Sequence, residues 1–115
     1  MKYEELVDVV KTGEGYTIEL KESTGSNIGK DICAFANSSG GKIIIGVDDR
    51  TGEIKGCKLS NSDKSQIQDI ARNMSPSFNV HIEQIGDLVA IYVPEGKNKP
   101  YTVNGHFYLR YGANS

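Results

Sequence analysis

Three acidic or basic side chains are spaced in a way that could support chemistry on a phosphodiester. Glu19 and Lys21 lie two positions apart in an alternating segment, so their side chains leave the same face of a predicted strand. Glu14 lies five residues before Glu19 and precedes Gly15, where the backbone can bend to bring the two carboxylates together. A carboxylate that binds a divalent metal beside a lysine that steadies a phosphate is nuclease chemistry. These residues therefore predict a candidate catalytic site.

Two further carboxylates, Asp48 and Asp49, follow the apolar run 42–47. Strand alternation sends them to opposite faces, so only one of them can join a given site. If strands 16–21 and 42–47 are antiparallel, Asp49 approaches Glu14. If the strands are parallel, the two carboxylates lie roughly 15–20 Å apart at about 3.3 Å per residue, and a three-carboxylate metal site fails. The ordinary alternatives are a solvated strand face and a turn that uses the aspartate side chains.

Basic residues near aromatic ones are candidates for contact with nucleic acid. Lysine and arginine pair with phosphates, and tyrosine stacks on bases. The contacts that we expect are Lys21, Lys42, Lys97, Lys99 and Arg110. The structural alternative is a hairpin with core tyrosines and exposed basic side chains. A third interpretation is a protein-interaction module that uses the strand edge at 101–110.

Two other patterns resemble known binding sites for ATP and zinc but lack residues that those sites require. The segment 25–31 resembles a phosphate loop, but it has three residues between its glycines where a P-loop has four. Asp31 also follows the lysine, where a P-loop requires Ser or Thr, so we reject ATP binding by this segment. Cys33 and Cys57 cannot form a four-ligand zinc site by themselves.

Length and composition limit the classes of protein. The 115 residues suffice for one domain, 1–115, with a hydrophobic core. The net charge of −2 provides no global basic field, although 13 Lys and Arg residues leave room for a local basic surface. The chain has no 18-residue apolar run and no signal peptide, so we expect a cytoplasmic protein that does not bind membranes.

The elements that must position these side chains read in the order α-β-α-β-β-α-β-β-β-β. Apolar residues at helical spacing predict helices over 3–11, over about 26–37, and from Ser60 or Asn61 to Pro76. Alternating or β-branched runs predict strands at 16–21, 42–47, 53–57, 78–85, 88–93, 101–103 and 106–110. We expect an α+β single domain with a mixed or antiparallel sheet, two main helices and a short N-terminal helix.

Four motifs in fixed order resemble one family. They are IELKES at 18–23, AFANSSGG at 34–41, IGVDD at 45–49 and GEIKG at 52–56, followed by KPY at 99–101 and GHFYLR at 105–110. Together they cover about residues 14–112 and resemble the Schlafen-type Alba-like domain. Leu20 stands where the family usually has phenylalanine.

The resemblance implies an α+β nucleic-acid-binding domain, for which DNA and RNA both stay open. Such domains are typical of the N-terminal part of longer prokaryotic transcriptional regulators. We therefore expect this chain to be a fragment of such a regulator. Any ATP binding would belong to a downstream region that is absent here.

The resemblance also implies an alternative activity, because some animal Schlafens cut structured RNA such as tRNA with three carboxylates. The matching residues are Glu14, Glu19 and Asp49, which would hold Mg²⁺ or Mn²⁺ while Lys21 assists. The zinc ligands of the animal proteins have no counterpart here. One lobe alone cannot form the two-lobed cleft of those enzymes, so an endoribonuclease would require a homodimer.

Overall fold

A computed structural model describes residues 1–25 and 27–111. It contains three helices, α1 (Tyr3–Thr12), α2 (Ile28–Ala36) and α3 (Asn61–Arg72). The strands are β1 (Ile18–Lys21), β2 (Gly41–Ile45), β3 (His81–Ile85), β4 (Leu88–Val93), β5 (Thr102–Val103) and β6 (His106–Phe107). The predicted α+β class and the two main helices with a short N-terminal helix are confirmed.

The main sheet is mixed and has the strand order β1-β2-β4-β3. Strands β1 and β2 pair in parallel, whereas β4 pairs antiparallel with both β2 and β3. The parallel pair follows from α2, because a helix that crosses over one face of the sheet returns the chain in the same direction. Strands β5 and β6 form a separate two-stranded hairpin.

Helices cover the sheet on both faces. On one face, α2 and α3 pack against Ile43, Ile45 and the inward residues of β4. On the other face, Leu6 and Val10 of α1 pack against a second apolar cluster that includes Leu20, Ile44, Val47, Ile85, Leu88 and Ala90. The apolar run of β2 predicts burial on both faces, and the side chains of Ile43, Ile44 and Ile45 are fully buried. No helix in the described part of the chain has the length and apolar character needed to span a bilayer.

Two predicted strand segments differ from the structure. The predicted strand 53–57 is reduced to a single bridge between Val47 and Ile54. Gly56 has φ +84°, and its N–H donates to the Gly46 carbonyl, which turns the chain out of a strand path. The predicted strand 106–110 ends at Phe107, because the backbone beyond it bonds to the end of α2.

The residues after α2 act as a clasp, which we define as Asn37 and Ser38. The Asn37 side chain donates to the carbonyls of Tyr101 and Tyr108 at 2.9 Å each and accepts from the Tyr101 N–H at 2.6 Å. The Ser38 hydroxyl oxygen accepts from the Arg110 N–H at 3.1 Å. The clasp therefore fixes the path of the C-terminal segment. Gly40, with φ +78°, then turns the chain into β2.

Candidate functional site

Glu14 folds back onto β1, as the sequence predicts. A tight turn joins Gly15 and Ile18, whose backbone groups bond to each other in both directions. One carboxylate oxygen of Glu14 then accepts from the Leu20 N–H at 3.1 Å. Because β1 is an edge strand, this contact satisfies a backbone donor that no neighbouring strand reaches. Glu14 thereby lies beside Glu19, near enough for its carboxylate to help raise the pKa of the Glu19 carboxyl.

Arg110 binds Glu19 and the turn before it. Its Nη1 donates to Glu19 Oε1 at 2.6 Å, and its other guanidinium nitrogens donate to the carbonyls of Gly15, Tyr16 and Ile18. The guanidinium also lies over the Phe35 ring, 4.5 Å from its centroid. The Arg110 side chain is fully buried. Arg110 therefore stabilises the fold and does not form part of a surface that could contact nucleic acid.

Glu19 is held in an environment that disfavours its charge. The pKa of Glu19 is raised to about 7, chiefly by burial and next by the neighbouring Glu14, while Arg110 acts in the opposite direction and lowers it. Arg110 is the closest charge, but it is shared among several backbone carbonyls. The Glu19 carboxylate therefore holds a proton more tightly in the folded protein than an isolated glutamate does.

Lys21 leaves β1 on the same face as Glu19, in agreement with the alternation of the strand. That face is covered by α2, and the Lys21 ammonium pairs with Asp31 at 2.8 Å. Only 18% of the Lys21 side chain and 6% of the Asp31 side chain are exposed. Lys21 thus joins β1 to α2 and faces neither open solvent nor a cleft.

Asp49 lies beyond the C-terminal end of β2, whereas the Glu14 carboxylate bonds to the Leu20 N–H within β1. Glu19 pairs with Ile43 in the register, and Asp49 comes six residues after Ile43. Asp48 forms the turn that follows, since its carboxylate accepts from the N–H groups of Arg50 and Thr51. Across residues 1–25 and 27–111, no group of three His, Cys, Asp or Glu side chains could hold a metal ion. The carboxylates as placed do not fit the expected three-carboxylate metal site, and we derive no catalytic step through a metal.

The remaining predicted contacts fall on two surfaces. Lys97 and Lys99 are exposed in the loop after β4, where Lys99 pairs with Glu95 at 2.6 Å. Lys42 lies on β2, on the face of the sheet that α1 covers only in part. Within the described ranges, neither Lys42 nor Lys97 takes part in an ion pair.

Lys42 belongs to a row of side chains that crosses the whole sheet. Ile18 pairs with Lys42, Lys42 with Tyr92, and Tyr92 with His81, so the four side chains share one face. The rings of His81 and Tyr92 stack, with 5.5 Å between centroids and 28° between planes. The Tyr92 hydroxyl donates to Glu83 at 2.9 Å, and burial together with Glu83 raises the pKa of Tyr92 to about 12.

This row borders an open groove of about 750 Å³, lined chiefly by Thr17, Ser39, Lys42, Asn79, His81 and Tyr92. None of the described residues that line the groove is Asp or Glu. Sequence reasoning included Lys42 but missed His81 and Tyr92. The Gly86-Asp87 turn could have indicated them. This turn joins their two strands, and once it is placed the register sets His81 opposite Tyr92.

Comparisons with known proteins agree with this fold. No curated protein matches the chain. The crystal structure of the DIP2311 protein from Corynebacterium diphtheriae superposes with a TM-score of 0.64 at 19% sequence identity, which shows the fold alone. The match covers 85% of this chain and 21% of that one, so this chain spans about a fifth of the length of that protein. The family model described as Schlafen, AlbA_2 matches residues 14–115, and the chain belongs to this family.

Proposed function

We propose that this chain is a nucleic-acid-binding domain of a transcriptional regulator. Membership of the Schlafen, AlbA_2 family supports a nucleic-acid-related role. The fold match to one fifth of a longer bacterial chain is consistent with a module that works within a larger protein. We keep the cytoplasmic location as part of the same proposal.

The observation that carries the proposal is the groove beside Lys42, His81 and Tyr92. It combines a cation with stacked rings, the two kinds of group that bind phosphates and bases. The chain has 15 acidic residues and a net charge of −2, yet the described lining of the groove contains no carboxylate. A local site of this kind can bind a polyanion although the whole molecule is slightly acidic.

Fluorescence anisotropy with short labelled DNA and RNA oligonucleotides tests the proposal. We expect binding that weakens between about 50 and about 200 mM salt, because each phosphate that a lysine neutralises releases counterions. Lys42→Gln should reduce the slope of log K against log salt by about 0.7 on a single strand. The control is Lys64→Gln, which removes the same charge from α3 on the other face of the sheet. Absence of binding at low salt, or equal slopes for the two variants, would contradict the proposal.

The endoribonuclease alternative stays a prediction. It would use Glu14, Glu19 and Asp49 with Mg²⁺ or Mn²⁺ and would require a homodimer. The contact between Glu14 and Glu19 is compatible with it, but the position of Asp49 and the Arg110 bond to Glu19 give it no specific support.

A further inference from the structure

We infer that the groove binds an unpaired base, so that the domain prefers single-stranded nucleic acid or a single-stranded segment to a continuous duplex. The inference rests on the proposed function and specifies its ligand. His81 and Tyr92 are the stacking residues, and Lys42 is the phosphate contact.

The ring pair presents a flat surface at the outer part of the sheet. His81 is exposed on β3, the last strand of the sheet, and one face of its ring lies against Tyr92. Because His81 is exposed, its imidazole has accessible surface on which a third ring can stack. Bases stack on aromatic side chains in this way, and the interaction tolerates any sequence because every base has a π-face.

The ring pair is held in place before a ligand arrives. Tyr92 is half-buried, packs against the cluster under α1, and donates its hydroxyl proton to Glu83. Glu83 follows His81 by two residues on β3, so its side chain lies on the same face as the two rings. A fixed platform loses little conformational entropy when a base binds to it.

The other groups along the groove suit the backbone and the base edge. Lys42 is the direct cross-strand neighbour of Tyr92, and we assign its ammonium to the phosphate next to a stacked base. Thr17, Ser39 and Asn79 bring hydroxyl and amide groups to the same groove, which can donate to or accept from base edges.

A continuous duplex cannot use this arrangement. In a duplex both faces of each base are covered by its neighbours, and only the edges and the backbone reach a protein surface. A base must be unstacked to lie on His81, which is far less costly for a single strand than for a duplex. The groove of about 750 Å³ has the size of a site for a small molecule or a single base.

The test compares a short single strand with a blunt-ended duplex of the same base composition that has no loop, using the full chain and fluorescence anisotropy at fixed salt. We expect the single strand to bind at least about tenfold more tightly. His81→Ala and Tyr92→Leu should each weaken single-strand binding by about five- to a hundredfold, the range measured when a stacking side chain is removed. An oligonucleotide with 2-aminopurine should lose fluorescence on binding wild type and less so on binding His81→Ala.

The matched control is Phe107→Ala, which removes an exposed aromatic ring from the hairpin beside α2. It should leave binding unchanged. Tyr92 is half-buried, so thermal melts accompany its variant, whereas the exposed His81 provides a test that does not depend on folding. Equal affinity for duplex and single strand, or full affinity in His81→Ala, would overturn the inference and leave nucleic-acid binding in place. Failure of wild type to bind either oligonucleotide would overturn the proposed function itself.

Discussion

Glu19 shows what strand alternation can and cannot predict about a single residue. Its position on the same face as Lys21 follows from a period of two and is confirmed. Its partner Arg110 lies 91 residues further along the chain, and no local pattern connects them. The sequence therefore indicated which side chains share a face, but not that α2 and the C-terminal segment would bury that face.

The Glu14–Glu19 pair should make stability depend on pH. The folded-state pKa of Glu19 is raised from 4.5 to about 7, so the folded protein binds a proton that the unfolded chain has released. The free energy of unfolding should therefore fall as pH rises from about 4.5 to about 7 and change no further through this group. Glu14→Gln removes the carboxylate that helps to raise this pKa and should shrink the fall by about 1 kcal/mol after solvent screening.

Urea denaturation of wild type and Glu14→Gln at several pH values across this window measures the difference. The glutamine can still accept from the Leu20 N–H, so the edge contact of β1 is preserved. Glu22→Gln removes an exposed carboxylate just after β1 and serves as the control. Parallel stability profiles for wild type and Glu14→Gln would show that Glu14 does not contribute to the raised pKa of Glu19.

At the scale of elements, the sequence predicts where most helices and strands lie but not how two of the strands pair. The direction of β2 against β1 stayed open, and with it the position of Asp49, because both directions fit the length of the connecting segment. The docking of α2 across the sheet decides the direction. The strand predicted at 53–57 was wrong, because tertiary bonds to Gly46 and a positive φ at Gly56 replace the ladder.

The clasp after α2 gives the family motif AFANSSGG a structural meaning. Asn37 joins the end of α2 to the backbone of Tyr101 and Tyr108 through three hydrogen bonds and is 8% exposed. Asn37→Ala should lower the free energy of unfolding by about 2–4 kcal/mol, since it leaves buried backbone groups without partners. Ser39→Ala, at an exposed position two residues away, is the control for urea denaturation. A loss below about 1 kcal/mol for Asn37→Ala would mean that water replaces these bonds.

At the scale of the whole molecule, the sheet separates two faces with different side chains. The face under α2 and α3 contains the larger core and the Glu19–Arg110 and Lys21–Asp31 pairs. The other face is shared between α1 and the groove. The residues that sequence motifs marked for chemistry lie mostly on the first face, whereas the open cation and rings lie on the second. Motif spacing reports on chain geometry, and it carries no information about which face a helix will cover.

The family match begins at residue 14 and therefore does not include α1 or its packing against the sheet. Leu6 is fully buried against the sheet, and the Tyr3 hydroxyl donates to Asp87 at 2.8 Å. Leu6→Ala should lower the free energy of unfolding by about 2–5 kcal/mol, as expected for a cavity in a packed core. The exposed Asp8→Ala on the same helix should change it by less than about 0.5 kcal/mol.

Urea denaturation measures the free energy of unfolding of Leu6→Ala and Asp8→Ala. Oligonucleotide binding, measured below the unfolding transition, is the second readout. Because Leu6 lies on the side of α1 that packs against the sheet and not in the groove, folded Leu6→Ala should bind nucleic acid as wild type does. If Leu6→Ala lowers the free energy of unfolding by less than about 1 kcal/mol, α1 is not firmly packed, since truncation of a fully buried leucine lowers it by more than this. In that case the second face would be open along its whole length, and the groove would be only one end of a longer surface.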